Sequence, residues 1–293
     1  MTNDFNVQKN NPSLRLSKEE YVEKKKAEKD AIYKLIDDTA KQVVNDPTKF
    51  AAFLDTQSKF DRYSATNALL IYAQNPGATQ LKDFNDWTKD NVKIKKGAKS
   101  ISILEPIEYA RKDGSTGISY NIKKMFDVSQ TNSNRQPSVT MDRDPKELIT
   151  VMLDSSPVTV EASDELPYPN IATYYDNDDQ KLYVKRNVGD SVMVCQSIAS
   201  ELAHAQISIN SDSYSRSDSA FPATCIGYML CKKYGVDTKS FAIDRIPDSL
   251  KNAEAKEVRK ELSKMRNAMA EMHSGISDEL YKKKQERNKG YER

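Results

Sequence analysis

The sequence predicts an α+β protein. Apolar residues recur at helical spacing through the front of the chain as far as Asn75, the period switches to two between Val92 and Ile122, and helical spacing returns beyond a polar linker. At about 150 residues per domain, 293 residues point to two domains. The predicted divisions are a flexible charged arm over 1–29, a front domain over 30–131 and a linker over 132–145. A second, mainly helical domain follows over 146–250, then a C-terminal helix and basic tail over 251–293.

Residues 18–45 read as a charged helix, and Asp46-Pro47 stops it while supplying a cap and first-turn proline for a helix with Phe50, Phe53 and Leu54 on one face. Ser64 caps the next, which buries Leu69 and Leu70 and ends at Asn75-Pro76-Gly77. A short helix is predicted from Thr79, holding Phe84 and Trp87. A meander follows: Val92 and Ile94 alternate with Lys93 and Lys95, Gly97 turns the chain, Ile101 and Ile103 continue, and Asp113-Gly114 precedes Ile118, Tyr120 and Ile122. Beyond the linker, Pro157 to Glu161 is a short strand and IATYYDNDDQKLYVK a hairpin. Asp190-Ser191 caps a helix with the stripe Cys195, Ile198, Leu202, Ala205 and Ile209, and another helix ends at Gly235. The tail carries Val258, Leu262, Met265, Met269, Met272 and Ile276 at heptad spacing, a seam for docking on the second domain or for self-association.

Composition excludes much chemistry. With two histidines and three cysteines, no three-histidine zinc centre or four-cysteine ribbon can be built, and neither Gly-rich phosphate loop can be written. Cys195, Cys225 and Cys231 read as reduced core thiols. Met1 to Ser17 has no apolar stretch and no window approaches a membrane span, so a cytoplasmic protein without membrane contact is expected.

Lys and Arg outnumber Asp and Glu 14 to 10 over 39–130 and 12 to 8 over 251–293, but are outnumbered 5 to 11 over 140–190. A polyanion partner therefore belongs with the front domain or the tail. TKDNVKIKKGAK, Thr88 to Lys99, holds five lysines against one acid. Lys93 and Lys95 on a strand face, with Lys96 and Lys99 at the turn, could follow a phosphate backbone; the plainer reading is a lysine-protected sheet edge. Tyr63, Trp87, Tyr109 and Tyr120 are candidates for stacking single-stranded bases, although Trp87 beside Phe84 also reads as core.

The blocks YSATNALLIYAQNPGATQLKDFNDW, VKIKKGAKSISILEP and KKMFDVSQT resemble, in order and spacing, the N-terminal domain of the antirestriction protein ArdC family over roughly residues 30–131. Tyr63, Ser64, Asn67, Trp87, Lys96, Gly97, Phe126, Asp127, Gln130 and Thr131 stand at its pattern positions. The resemblance implies a single-stranded DNA-binding module of conjugative plasmids, transposons and phages. DNA contact is placed on Lys93, Lys95, Lys96 and Lys99, with Ser64 and Asn67 as polar contacts at a helix start.

Such proteins usually continue into a zincin-like metallopeptidase domain, and YYDNDDQKLYVKR followed by IASELAHAQ continues in the matching way. The family pattern is H-E-x-x-H, two histidines one turn apart with a glutamate that activates the metal's water. Here it reads Ser200-Glu201-Leu202-Ala203-His204. The third ligand, a glutamate in the following helix, aligns with Thr224, and Asp218 would need another register. Ser200 and Thr224 are thus vacated ligand positions, Glu201 and His204 remnants, and a metal-free, catalytically inactive domain without cofactor is expected. His204 then reads as a hydrogen-bonded structural histidine, and His273 has no assigned role.

The expected function is single-stranded DNA binding in antirestriction or DNA protection for a mobile element. Two alternatives stand beside it: a zinc metallopeptidase with an unusual ligand set, and an adaptor whose 258–276 helix recruits a conjugation or replication partner.

Overall fold

Ser17 opens the first helix with a capping box, its hydroxyl accepting from Glu20 N while the Glu20 carboxylate accepts from Ser17 N. A computed structural model of the protein describes residues 17–134, 141–169, 171–186 and 189–291. Helix α1 (Lys18–Val44) therefore begins inside the segment assigned to a flexible arm, and Glu28 pairs with Lys124 at 2.6 Å. The first 16 residues of that arm lie outside the described residues. The Asp46 carboxylate caps α2 (Pro47–Lys59) and the Ser64 hydroxyl caps α3 (Ala65–Gln74), each as the sequence predicts.

The meander departs from expectation at two places. Where a helix was to begin at Thr79, the chain first forms β1 (Leu81–Asp83) and only then α4 (Phe84–Lys89). The cause is the buried Asp127 carboxylate, which accepts from Thr79 N at 2.7 Å and Gln80 N at 2.9 Å and holds this segment beside the end of β3 (Thr116–Asp127). With β2 (Ile101–Ala110), the antiparallel order is β1-β3-β2. Residues 92–95, predicted as a strand, make only the isolated bridge Ile94↔Thr131. Their backbone is stapled instead to the loop after β3: Lys93 N donates to Asn132 Oδ1 and Lys95 N to Gln130 O.

Helix α3 lies along the outer side of β2. The Asn67 amide donates to Leu104 O and accepts from Leu104 N, both at 2.8 Å, and the Gln74 amide does the same for Ser102 at 2.9 Å. Two side-chain amides thus stand where a further strand would supply its peptide groups.

Past the linker, whose residues 135–140 lie outside the described residues, Asp144 caps α5 (Pro145–Asp154). The predicted short strand is β4 (Thr159–Ser163), and the hairpin is β5 (Thr173–Asp176) with β6 (Lys181–Lys185), turning through Gln180 at φ 53°. β4 joins parallel to β6, giving the order β4-β6-β5. Helices α6 (Ser191–Ile209) and α7 (Arg216–Lys233) pack together, followed by α8 (Asp248–Lys251) and the long α9 (Ala255–Tyr291). On α6, Cys195, Ile198, Leu202 and Ala205 are buried; Ile209, expected with them, is its last residue and half exposed. All three cysteines are free and buried.

The tail seam is buried from Val258 through Ile276, in one hydrophobic cluster with residues of α1, α2, α3, α5, α6 and α7. It is therefore covered by this chain's own helices and is not free for self-association: three methionines among its six residues adapt to neighbours that differ along its length. The same cluster crosses the front and back segments, and the rings of Phe50 and Phe221 stack at 5.6 Å. A second, smaller cluster of Phe60, Ile71, Ala78, Ile101, Ile103 and Met125 lies under the front sheet. Among the described residues no helix is long and apolar enough to cross a membrane.

Candidate nucleic-acid interface and metal-ligand positions

The four lysines sit on the stapled loop and all are exposed. Gly97 turns it with φ 81°, a left-handed conformation that a side chain would strain. The Gln130 amide donates to Lys99 O, and the Lys95 ammonium donates to Ser129 O at 2.9 Å. Lys93, Lys96 and Lys99 have no ion-pair partner among the described residues, so a held backbone presents three free cations and a fourth bonded only to a neutral carbonyl.

Ser64 and Asn67 are not with them. They occupy the start of α3, whereas Gln74 at its end bonds Ser102 near the lysine loop, so the two groups are separated by about 15 Å at 1.5 Å per residue. The Asn67 amide is buried and fully engaged by Leu104, which corrects its assignment as a free polar contact. The Ser64 hydroxyl accepts from Asn67 N and borders a cleft of about 630 Å³ between α1, α3, the front sheet and α9.

The aromatic candidates also separate. Trp87 is buried, donates from Nε1 to Phe126 O at 2.9 Å and lies beneath Lys82, which identifies it as core. The ring of Tyr109 covers Gly117, where a Cβ would come within 2.6 Å of it. Tyr63 and Tyr120 line the cleft.

In the back domain Glu201 is buried and both oxygens are engaged. Oε2 accepts from Tyr175 N at 2.7 Å, and Oε1 accepts from the Arg216 guanidinium at 2.7 Å. Arg216 also donates to Tyr175 O at 3.2 Å and stacks over the Tyr174 ring at 4.4 Å. A carboxylate on α6, a guanidinium opening α7 and one backbone residue of β5 thereby form a closed set. His204 Nδ1 lies 3.0 Å from Tyr214 Oη. Burial, with the nearby Arg216 charge second, lowers the His204 pKa to about 4, and burial raises that of Tyr214 to about 12, so the pair is neutral near pH 7.

The vacated positions hold local bonds. The Ser200 hydroxyl donates to Gln196 O and sits where a Cβ on Gly227 would come within 3.0 Å of it, while the Thr224 hydroxyl donates to Ala220 O. Asp218 is exposed in the first turn of α7. A divalent cation needs several converging anionic or neutral donors. Glu201 already faces a permanent cation 2.7 Å away, and the two hydroxyls are turned into their own helices; these residues do not fit a metal. No group of three His, Cys, Asp or Glu able to hold one occurs among the described residues.

Residues 25–143 match the family described as the N-terminal domain of anti-restriction factor ArdC. The front of the chain is thus similar to the ArdC N-terminal domain. The fold is also similar to crystal structures of antirestriction ArdC protein from plasmid R388, at 14% sequence identity. The metal-free form aligns over 74% of this chain and 86% of that one with TM-score 0.50; the Mn(II)-bound form aligns over 74% and 84% with TM-score 0.51. No curated protein matches the sequence. The ArdC likeness carries past the N-terminal domain into the back of the chain, where Arg216 meets Glu201. No motif marked that arginine: in sequence it is an ordinary cation at a helix start, and only the fold brings it 15 positions back to the glutamate. The ArdC-domain tyrosines were visible as types, but their meeting with Arg62 and Arg259 at one cleft depends on α9 and was not.

Proposed function

We propose that the protein binds single-stranded DNA through its ArdC-type front domain, serving antirestriction or strand protection for a mobile element in the cytoplasm, with a back domain that is a scaffold and not a peptidase. The observation that carries the DNA reading is the lysine loop, a stapled backbone presenting free cations in a domain of this family. Phosphates are met by such cations through counterion release, which requires no sequence recognition. The inactive back domain is supported by the Glu201–Arg216 pair: a carboxylate held 2.7 Å from a permanent cation has its charge balanced and its basicity reduced, which suits a structural ion pair better than a general base. Among the described residues no group of three His, Cys, Asp or Glu offers a donor set for a metal such as the Mn(II) of the R388 protein.

The test is a titration of the full chain with single-stranded and duplex DNA at two salt concentrations. Single strands are expected to bind more tightly. Replacing Lys93, Lys95, Lys96 and Lys99 together with Ala is expected to lower the log–log salt slope by about 2 to 3, at roughly 0.7 per single-strand contact. An unchanged slope in a folded variant moves the phosphate contacts elsewhere. Stoichiometric zinc or manganese in the unaltered protein, lost on His204→Ala, would revive the peptidase.

A further inference from the structure

We propose that the cleft beside Ser64 is a nucleotide subsite that takes a base and its adjoining phosphate from a single strand, separately from the lysine loop; this rests on the reading that the front domain binds single-stranded DNA. At about 630 Å³ the cleft has the size of a small-molecule site. Three tyrosines, Tyr33 on α1, Tyr63 before α3 and Tyr120 on β3, line it. None of their hydroxyls has a hydrogen-bond partner among the described residues, so each is available to a ligand. Tyr63 is braced edge-on against Phe60 at 5.7 Å, so its ring is fixed, whereas Tyr120 is 42% exposed and presents its ring outward.

The charges at the cleft are of two kinds. Lys123 is closed on Glu105 at 2.7 Å and lies 3.6 Å from Asp83, so this group adds little free charge. Arg62 is exposed and has no hydrogen bond or ion pair among the described residues. Arg259 comes from α9; its Nε is 3.1 Å from Asp37 Oδ1, yet neither atom has hydrogen-bond geometry, leaving both buried atoms unsatisfied. Aromatic faces beside an unengaged guanidinium are suited to a flat base joined to an anion. In a duplex that base is stacked and paired, so only an unpaired strand can offer it. The lysine loop lies near the opposite end of α3, where Gln74 bonds Ser102, so the two sites are separate contacts on one domain.

The measurement is fluorescence anisotropy of a labelled oligodeoxythymidylate of roughly 15 residues, within known single-strand site sizes, on the full chain. Tyr120 is exposed enough to replace safely. Tyr120→Ala is expected to weaken binding by about fivefold to a hundredfold, the range that one lost base stack gives, while Tyr120→Phe stays within about twofold. Arg62→Gln is expected to lower the salt slope by about 0.7. Tight binding by the unaltered protein, with Tyr120→Ala and Arg62→Gln indistinguishable from it, overturns the cleft and leaves the front-domain reading in place. No binding by the unaltered protein overturns both. Displacement of the strand by free dTMP at an equal concentration of nucleotide units would make the cleft a free-nucleotide site and overturn its assignment to a strand.

Discussion

The lysine loop and the Glu201 region use charge in opposite ways. On the loop, backbone groups hold the chain in place and the ammonium groups of Lys93, Lys96 and Lys99 remain unpaired. Around Glu201 the charged groups themselves hold the structure: the Arg216 guanidinium bonds the carboxylate, the β5 backbone and a tyrosine face at once. Both regions carry residues that look functional in sequence, and what separates them is whether the polar atoms are already engaged.

The largest expected effect comes from removing the helix that packs on both the front and the back helices. A chain ending at Asn252 loses α9 and with it the buried seam from Val258 to Ile276. At about 1.5–3 kcal/mol for each of these six buried apolar side chains, the loss is comparable to the whole stability of a typical domain. An insoluble or non-cooperatively unfolding product is expected by thermal denaturation and light scattering; a folded, soluble chain would show that the seam is dispensable.

Next in size is Arg216→Met, which leaves the Glu201 carboxylate buried beside Tyr175 N alone. Breaking a buried pair costs about 3–5 kcal/mol, and Arg216 is one-third exposed, so about 2–3 kcal/mol is expected in urea unfolding. The four-lysine replacement is expected to change stability by less than about 0.5 kcal/mol. Equal losses from the two variants would abolish the distinction drawn between the regions.

An effect of similar size separates them by pH. His204 has a pKa lowered by burial to about 4, against about 6.5 when unfolded. The unfolded chain binds this proton first, so the stability held by neutral His204 is complete above pH 6.5 and is lost as pH falls towards 4. At 1.36 kcal/mol per pKa unit the loss is on the order of 3 kcal/mol. His204→Gln should flatten part of the stability–pH curve in that window; a curve parallel to that of the unaltered protein would show that His204 contributes nothing there.

Local signals carried most of the helices. Ser17, Asp46, Ser64 and Asp190 cap where their types suggest, because a cap depends on residues within one turn. The errors arose from distant partners. Residues 81–83 became a strand because Asp127 holds Thr79 and Gln80 just before them, and residues 92–95 lost strand form to Gln130 and Asn132, each partner more than thirty positions away. At the candidate sites, Glu201 and His204 were legible from one motif and the lysines from composition. Arg216 was not, since nothing near it in sequence is acidic in the required place, and Asn67 looked like a free contact because its partner Leu104 lies 37 residues away.

The pairing of α3 with β2 bears also on how this protein survives at high concentration. An uncovered strand edge is a template on which copies of a chain add to one another, leading to fibrils or exchanged strands. Along the outer side of β2, the alternate residues whose peptide groups point away from β3 are Ser102, Leu104 and Pro106. Gln74 occupies the first, Asn67 the second, and the third is a proline with no N–H to donate. Three successive docking points for a foreign strand are therefore closed by three different residues, and Asn67→Ala is expected to leave both Leu104 peptide groups unpaired beneath α3.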